Sequence, residues 1–116
     1  MAKYKNKKLT IDGFTFDSKK EYKRYCELKI MEAAGEIYGL ELQKPFILIP
    51  AQYEKLPNGK RGKCLERAVK YIADFCYIDA KTKKIIVEDT KGFKTKDYII
   101  KRKLMLYMCC IQIKEI

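Results

Sequence analysis

The sequence predicts an α/β protein with a mixed central sheet flanked by helices, and three observations carry that prediction. A helix-start signal at Ser18 opens a long run of helix-forming residues that stops at Gly35. Three β-rich runs follow, divided by turn residues. A second helical stretch from Thr95 then leads into a closing segment that alternates apolar with polar residues. At 116 residues the chain has the length of one domain. One core and one site are therefore expected over 1–116, with 1–13 as a candidate flexible, basic N-terminal segment.

Each element has a local cause. Ser18 with Glu21 three residues on is a capping box, which satisfies the free N–H groups of a helix start. Helix 18–34 follows, with Gly35 supplying a natural stop. LELQ at 40–43 alternates and FILI at 46–49 is apolar and β-rich, so 40–50 reads as a strand, bent or at a sheet edge near Pro45. Pro57-Asn58-Gly59 is a reversal signal, and 65–78 is expected to return alongside that strand. YIADFCYI and IIVED, separated by the polar stretch 79–84, form a second expected hairpin. Thr95 starts a helix over 95–108 whose predicted core stripe is Ile100, Leu104 and Tyr107, at i, i+4 and i+7. IQIKEI at 111–116 reads as the last strand. The expected order is helix, strand, strand, strand, helix, strand, with the terminal strand pairing in parallel.

Composition narrows the chemistry. The chain has no histidine, which removes Ser-His-Asp, Cys-His and His-metal sites and leaves carboxylates, lysines and tyrosines as candidates. Its five cysteines are odd in number and include no CxxC pair, so they are expected as buried, reduced thiols of a cytosolic protein. No apolar run approaches the ~18 residues of a membrane span, and the N-terminus lacks the apolar core of a secretory signal. Twenty-six Lys and Arg against fifteen Asp and Glu give a net charge of +11, whose expected partner is a polyanion, nucleic acid first. The excess is clustered at 3–8, 55–70 and 91–103 rather than interspersed with acids.

Within this basic chain, Asp74 interrupts an apolar strand, where an ionised carboxylate costs several kcal/mol unless compensated. In the next strand Val87, Asp89 and Lys91 share one face by the period of two, while Glu88 points the other way. A hairpin would bring Asp74 to Asp89. Two close carboxylates repel each other, and a hard divalent cation such as Mg²⁺ relieves that repulsion. Glu41 and Gln43 share a strand face, and surface alternation accounts for them as well as a place in the site does.

ADF at 73–75 followed by VEDTKGF at 87–93, with the predicted element order, resembles the PD-(D/E)xK nuclease superfamily. With SKKE at 18–21 and the basic helix beyond 95, the pattern is similar to small phage-encoded endonucleases of the Holliday-junction-resolvase kind, over about residues 14–116. The resemblance implies a restriction-endonuclease-like core and a phage or prophage protein in a bacterial cytoplasm. It implies Asp74, Asp89 and the Thr90 carbonyl as ligands of Mg²⁺, with Mn²⁺ as a substitute, and Lys91 as the group that orients the attacking water. Glu21 would join the metal site, although its capping box already gives it a local role. Ala73 stands where the family usually has proline, and Glu88 is an alternative acid to Asp89. Lys94, Lys96, Lys101, Arg102 and Lys103 are the expected phosphate contacts. The activity implied is metal-dependent hydrolysis of DNA phosphodiesters, branched DNA above all, by a homodimer. A basic DNA-binding protein with a degraded site is the alternative.

Overall fold

The computed structural model describes residues 9–116. The basic cluster at 3–8 lies outside them. The first described residues form a hairpin of β1 (Leu9–Ile11) and β2 (Phe14–Phe16), and the rest of the N-terminal segment set apart over 1–13 lies outside the described residues. The turn is Asp12-Gly13, and both residues have positive φ (56° and 81°), the conformation whose twist suits a two-residue hairpin. Phe16 is fully buried, and Tyr25 donates from its hydroxyl to Asp12 Oδ2 at 3.0 Å, which ties the hairpin to the helix that follows.

That helix, α1 (Lys19–Ala33), has Ser18 as its cap, and the Glu21 side chain reaches back one residue beyond the cap rather than to the Ser18 N–H of a regular capping box. Glu21 N donates to Ser18 Oγ at 3.1 Å, and Glu21 Oε1 accepts from Asp17 N at 2.8 Å. At the other end Gly35, at φ 77°, allows Gly35 N to reach Glu32 O and Glu36 N to reach Met31 O, a Schellman closure.

The remaining elements are β3 (Ile37–Ile49), β4 (Gln52–Lys55), β5 (Arg61–Glu66), β6 (Val69–Asp79), β7 (Ile85–Asp89), α2 (Lys96–Cys109) and β8 (Lys114–Glu115). The central sheet has the order β3-β6-β7-β8, antiparallel except for the parallel β7–β8 pair. Pro45 lies on the edge strand β3, the position in a sheet that tolerates proline. The Asn58-Gly59 reversal closes β4 on β5 as a separate two-stranded ribbon, and β6 pairs with β3 only beyond it. The single return predicted for 65–78 is thus a ribbon followed by the return. Gly59 N bonds Leu56 O at 2.9 Å within the reversal, and β3 finds its partner in β6 beyond the ribbon.

The sheet carries a helix on each face. On one, Tyr25 and Leu28 of α1 pack with Phe16, Ile37, Phe75 and Tyr77; on the other, Tyr98 and Met105 of α2 pack with Leu48, Tyr71, Ala73 and Val87. β3 and β6 each change the face they present halfway along. Leu40 and Leu42 lie on the α1 side but Phe46 and Leu48 on the α2 side, and Tyr71 and Ala73 on the α2 side but Phe75 and Tyr77 on the α1 side. In a regular strand residues an even number apart share a face, so the ladder must break between them. The break in β3 is at Gln43, which adopts φ 53°, a left-handed conformation that strains a residue with a Cβ. The residue of β6 at the same level is Asp74.

Two further expectations are corrected. The buried side of α2 is Tyr98 and Met105, with Leu104 partly buried, whereas Ile100 and Tyr107 are 56% and 83% exposed. The helix carries apolar residues around most of its circumference, so periodicity alone does not choose its inward side. All five cysteines are free, yet only Cys76 is buried; Cys26 and Cys109 are half-buried, and Cys64 and Cys110 are exposed on the ribbon and at the α2 cap. Among the described residues no helix is long and apolar enough to cross a membrane.

Candidate active site

Antiparallel pairing of Phe75 with Glu88 sets Asp74 and Asp89 at adjoining positions of β6 and β7, at the end of β7 where the chain leaves the sheet. Asp74 Oδ2 accepts from both the Thr90 N–H and the Thr90 hydroxyl, each at 2.9 Å. Asp89 Oδ2 accepts from the Tyr71 hydroxyl at 2.7 Å, and Oδ1 from the Lys91 N–H at 3.1 Å. Asp89 and Thr90 are buried. Burial first, and then the negative charge of Asp74, push the Asp89 carboxyl above the usual aspartate range, while the Tyr71 bond and the Lys91 ammonium pull against them.

Glu88 takes the opposite direction. It is fully buried and receives Arg24 Nε and Nη2 of α1, each at 2.7 Å, together with the Tyr77 hydroxyl. A bidentate guanidinium completes a buried carboxylate in this way, and Glu88 is not on the Asp74 side of the strand.

Glu21 reaches the same cleft from the N-terminus of α1. One of its oxygens accepts from the Asp17 N–H just ahead of the helix cap, and the other accepts from Gln43 Nε2 at 3.3 Å. The side chain is buried, and its pKa is raised from 4.5 to about 7, by burial first and then by the carboxylates of Asp74 and Asp17; the Asp17 N–H bond lowers it in part. The capping role and the position facing Asp74 therefore coexist.

Asp17, Ser18, Lys20, Glu21, Asp74, Thr90, Lys91 and Gly92 line an open cleft of about 290 Å³. Lys91 also borders a neighbouring cleft with Lys70, Tyr71 and Lys101, and its ammonium stands 5.4 Å from the centre of the Tyr98 ring. Of the other basic residues singled out in the sequence, Lys101 lines that second cleft. Arg102 bonds Glu115 at 3.1 Å, Lys94 lies 4.0 Å from the same carboxylate, and Lys96 and Lys103 are exposed. Successive helical residues point about 100° apart, so Lys101, Arg102 and Lys103 do not share one surface.

Gln43 and Tyr71 join the site without having been selected from the sequence. Gln43 lies among alternating polar residues that any exposed strand edge carries. Tyr71 is one of nine tyrosines, and only the strand pairing brings its hydroxyl to Asp89.

Among the described residues no group of three or more Cys, Asp or Glu side chains is arranged to hold a metal ion. The acidic donors that stand side by side are the Asp74 and Asp89 carboxylates, each with lone pairs beyond those its hydrogen bonds use. Such a set suits Mg²⁺, which commonly takes one or two carboxylates and keeps several waters.

The sequence pattern of one protein family matches residues 1–114. The chain belongs to the DUF1064 family. That family is described as a protein of unknown function. No curated protein and no solved structure matches the chain.

Proposed function

We propose that this protein is a metal-dependent endonuclease that hydrolyses phosphodiesters in DNA, branched DNA in particular, on a restriction-endonuclease-like core. The observation that carries the reading is an acidic cleft in a strongly basic protein. Asp17, Glu21 and Asp74 line it in a chain of net charge +11, Asp89 lies buried beside Asp74, and burial and repulsion between carboxylates raise the carboxyls of Glu21 and Asp89. A phosphate drawn in by the basic surface would be repelled by such a cleft unless a cation stood between them. Mg²⁺, or Mn²⁺ in its place, held by Asp74, Asp89 and the Thr90 carbonyl, would polarise a phosphate oxygen as a Lewis acid.

The chain's own groups have distinct parts in this reading. Tyr71 and the Lys91 N–H hold the Asp89 carboxylate in one orientation, and Thr90 does the same for Asp74. The Lys91 ammonium orients the attacking water and offsets charge gathering on the phosphate. Glu21, which lines the same cleft as Asp74, would accept the proton that the water gives up. The water oxygen bonds to phosphorus as the bond to one sugar oxygen breaks, and that oxygen takes a proton from solvent. Two strands of a junction need two cuts, which a C₂ dimer would supply with symmetry matching the substrate.

The test is purified protein on a labelled four-way junction and a matched linear duplex, with Mg²⁺ or with EDTA. Cutting in Mg²⁺ alone, faster on the junction, is expected. Equal cutting of both substrates by a monomer would leave a general nuclease. Binding without cutting in either Mg²⁺ or Mn²⁺ would overturn the enzymatic reading.

A further inference from the structure

The β4–β5 ribbon stands away from the body of the protein. From Gln52 to Arg67 every side chain is exposed, and Gly62 is half-buried. The molecule measures 55 × 47 × 27 Å with a radius of gyration of 17.6 Å, against roughly 13 Å for a compact chain of this length. A two-stranded hairpin without a core is marginal in water, so this one must be held by local contacts. Three are present. Arg61 stacks its guanidinium 4.1 Å from the centre of the Tyr53 ring, Glu54 Oε1 accepts from Lys63 N at 3.2 Å, and Asn58 Oδ1 accepts from Lys60 N at 2.9 Å across the turn.

The ribbon's charge is one-sided. Lys55, Lys60, Arg61, Lys63 and Arg67 face two acids, Glu54 and Glu66, and Glu54 is engaged with the backbone. Register pairs Tyr53 with Cys64 and Lys55 with Arg61, so Tyr53, Lys55 and Arg61 lie on one face and the irregular step opposite Glu54 falls on the other. The basic track continues down β6 to Lys70, which shares the second cleft with Lys101 and Lys91. At about 3.3 Å per residue, Arg61 to Lys70 spans up to about 30 Å, close to one turn of duplex DNA.

We propose that the β4–β5 ribbon is a duplex-binding arm that lies in the major groove beside the cleft, with Lys55, Lys60, Arg61 and Lys63 on the phosphates. The inference rests on the nucleic-acid part of the proposed function and not on catalysis. Two strands about 4.8 Å apart fit a groove about 12 Å wide, which admits a two-stranded ribbon. The competing explanation is that lysines on an exposed ribbon only prevent edge-to-edge aggregation.

The experiment is fluorescence anisotropy of a labelled 30-base-pair duplex in EDTA, over a range of salt, with the wild-type chain and the variant K55A/K60A/K63A, which keeps the Arg61–Tyr53 stack. All three side chains are exposed, and a second variant with arginine at the same positions keeps the charge. The alanine variant is expected to bind at least 10-fold more weakly, with a salt slope lower by about 2–3, since each lost phosphate contact removes about 0.9. The arginine variant should bind as the wild type does. Unchanged affinity and slope in the alanine variant would overturn the proposal, as would a wild-type chain that binds no duplex at low salt. A wild-type chain that binds duplex through the ribbon but never cuts would refute the nuclease reading and leave the arm standing.

Discussion

Arg24 is the residue whose loss tests the site's scaffold most directly. It lies one turn after Glu21 on α1 and holds Glu88, the neighbour of Asp89, through two hydrogen bonds of 2.7 Å. The Arg24 side chain is 16% exposed and that of Glu88 is 0% exposed. Arg24→Met therefore leaves a carboxylate buried with only the Tyr77 hydroxyl for a partner. Removing one member of a buried pair costs about 3–5 kcal/mol, whereas the companion contact to the half-exposed Glu27 adds at most about 1 kcal/mol. Against a total stability of about 5–15 kcal/mol this is a large fraction, equivalent to a fall in Tm on the order of 10–20 °C. Urea denaturation should show a lower midpoint with an unchanged slope. Adding Glu88→Gln to Arg24→Met removes the stranded charge and should return about 2–3 kcal/mol, a coupling typical of groups in one network. A loss below about 1 kcal/mol in Arg24→Met, or no recovery in the double variant, would refute the view that this pair fixes α1 against β7.

Three other outcomes are expected. Because Glu21 has a folded pKa of about 7 against 4.5 in its usual state, its contribution to stability is full below pH 4.5 and is lost as pH rises through 7. The fall is on the order of 3 kcal/mol, and Glu21→Gln should remove it from the pH profile while leaving the contribution of Asp89, which has the same sign. Asp74→Asn and Asp89→Asn should each abolish Mg²⁺-dependent cleavage while DNA binding is kept or strengthened, and loss of both activities in a folded variant would point to a structural role for the acids. Met105→Ala should cost about 2–5 kcal/mol and Tyr107→Ser less than about 0.5 kcal/mol by chemical denaturation, and the reverse ranking would contradict the observed orientation of α2.

The sequence by itself determined the features that depend on neighbours along the chain. The Ser18–Glu21 pair and Gly35 bound α1, the alternation around Asp89 separates it from Glu88, and the tally of charges makes the surface basic. These are legible because hydrogen bonds to the nearest turn and the two-residue strand period require no knowledge of distant partners. Tertiary structure decided the rest. The apolar residues of α2 nearly encircle it, so its inward side was fixed only by what the sheet offers to Tyr98 and Met105. The Asn58-Gly59 turn closes a ribbon rather than the core sheet, because β3 finds its partner in β6 beyond it. Gln43 and Tyr71 enter the site because β3 and β6 change faces at that level, a break set by pairing and packing rather than by residue type. Glu21 acquires its raised pKa for the same reason: the helix cap is local, but the burial and the facing Asp74 carboxylate arise only when α1 docks on the sheet.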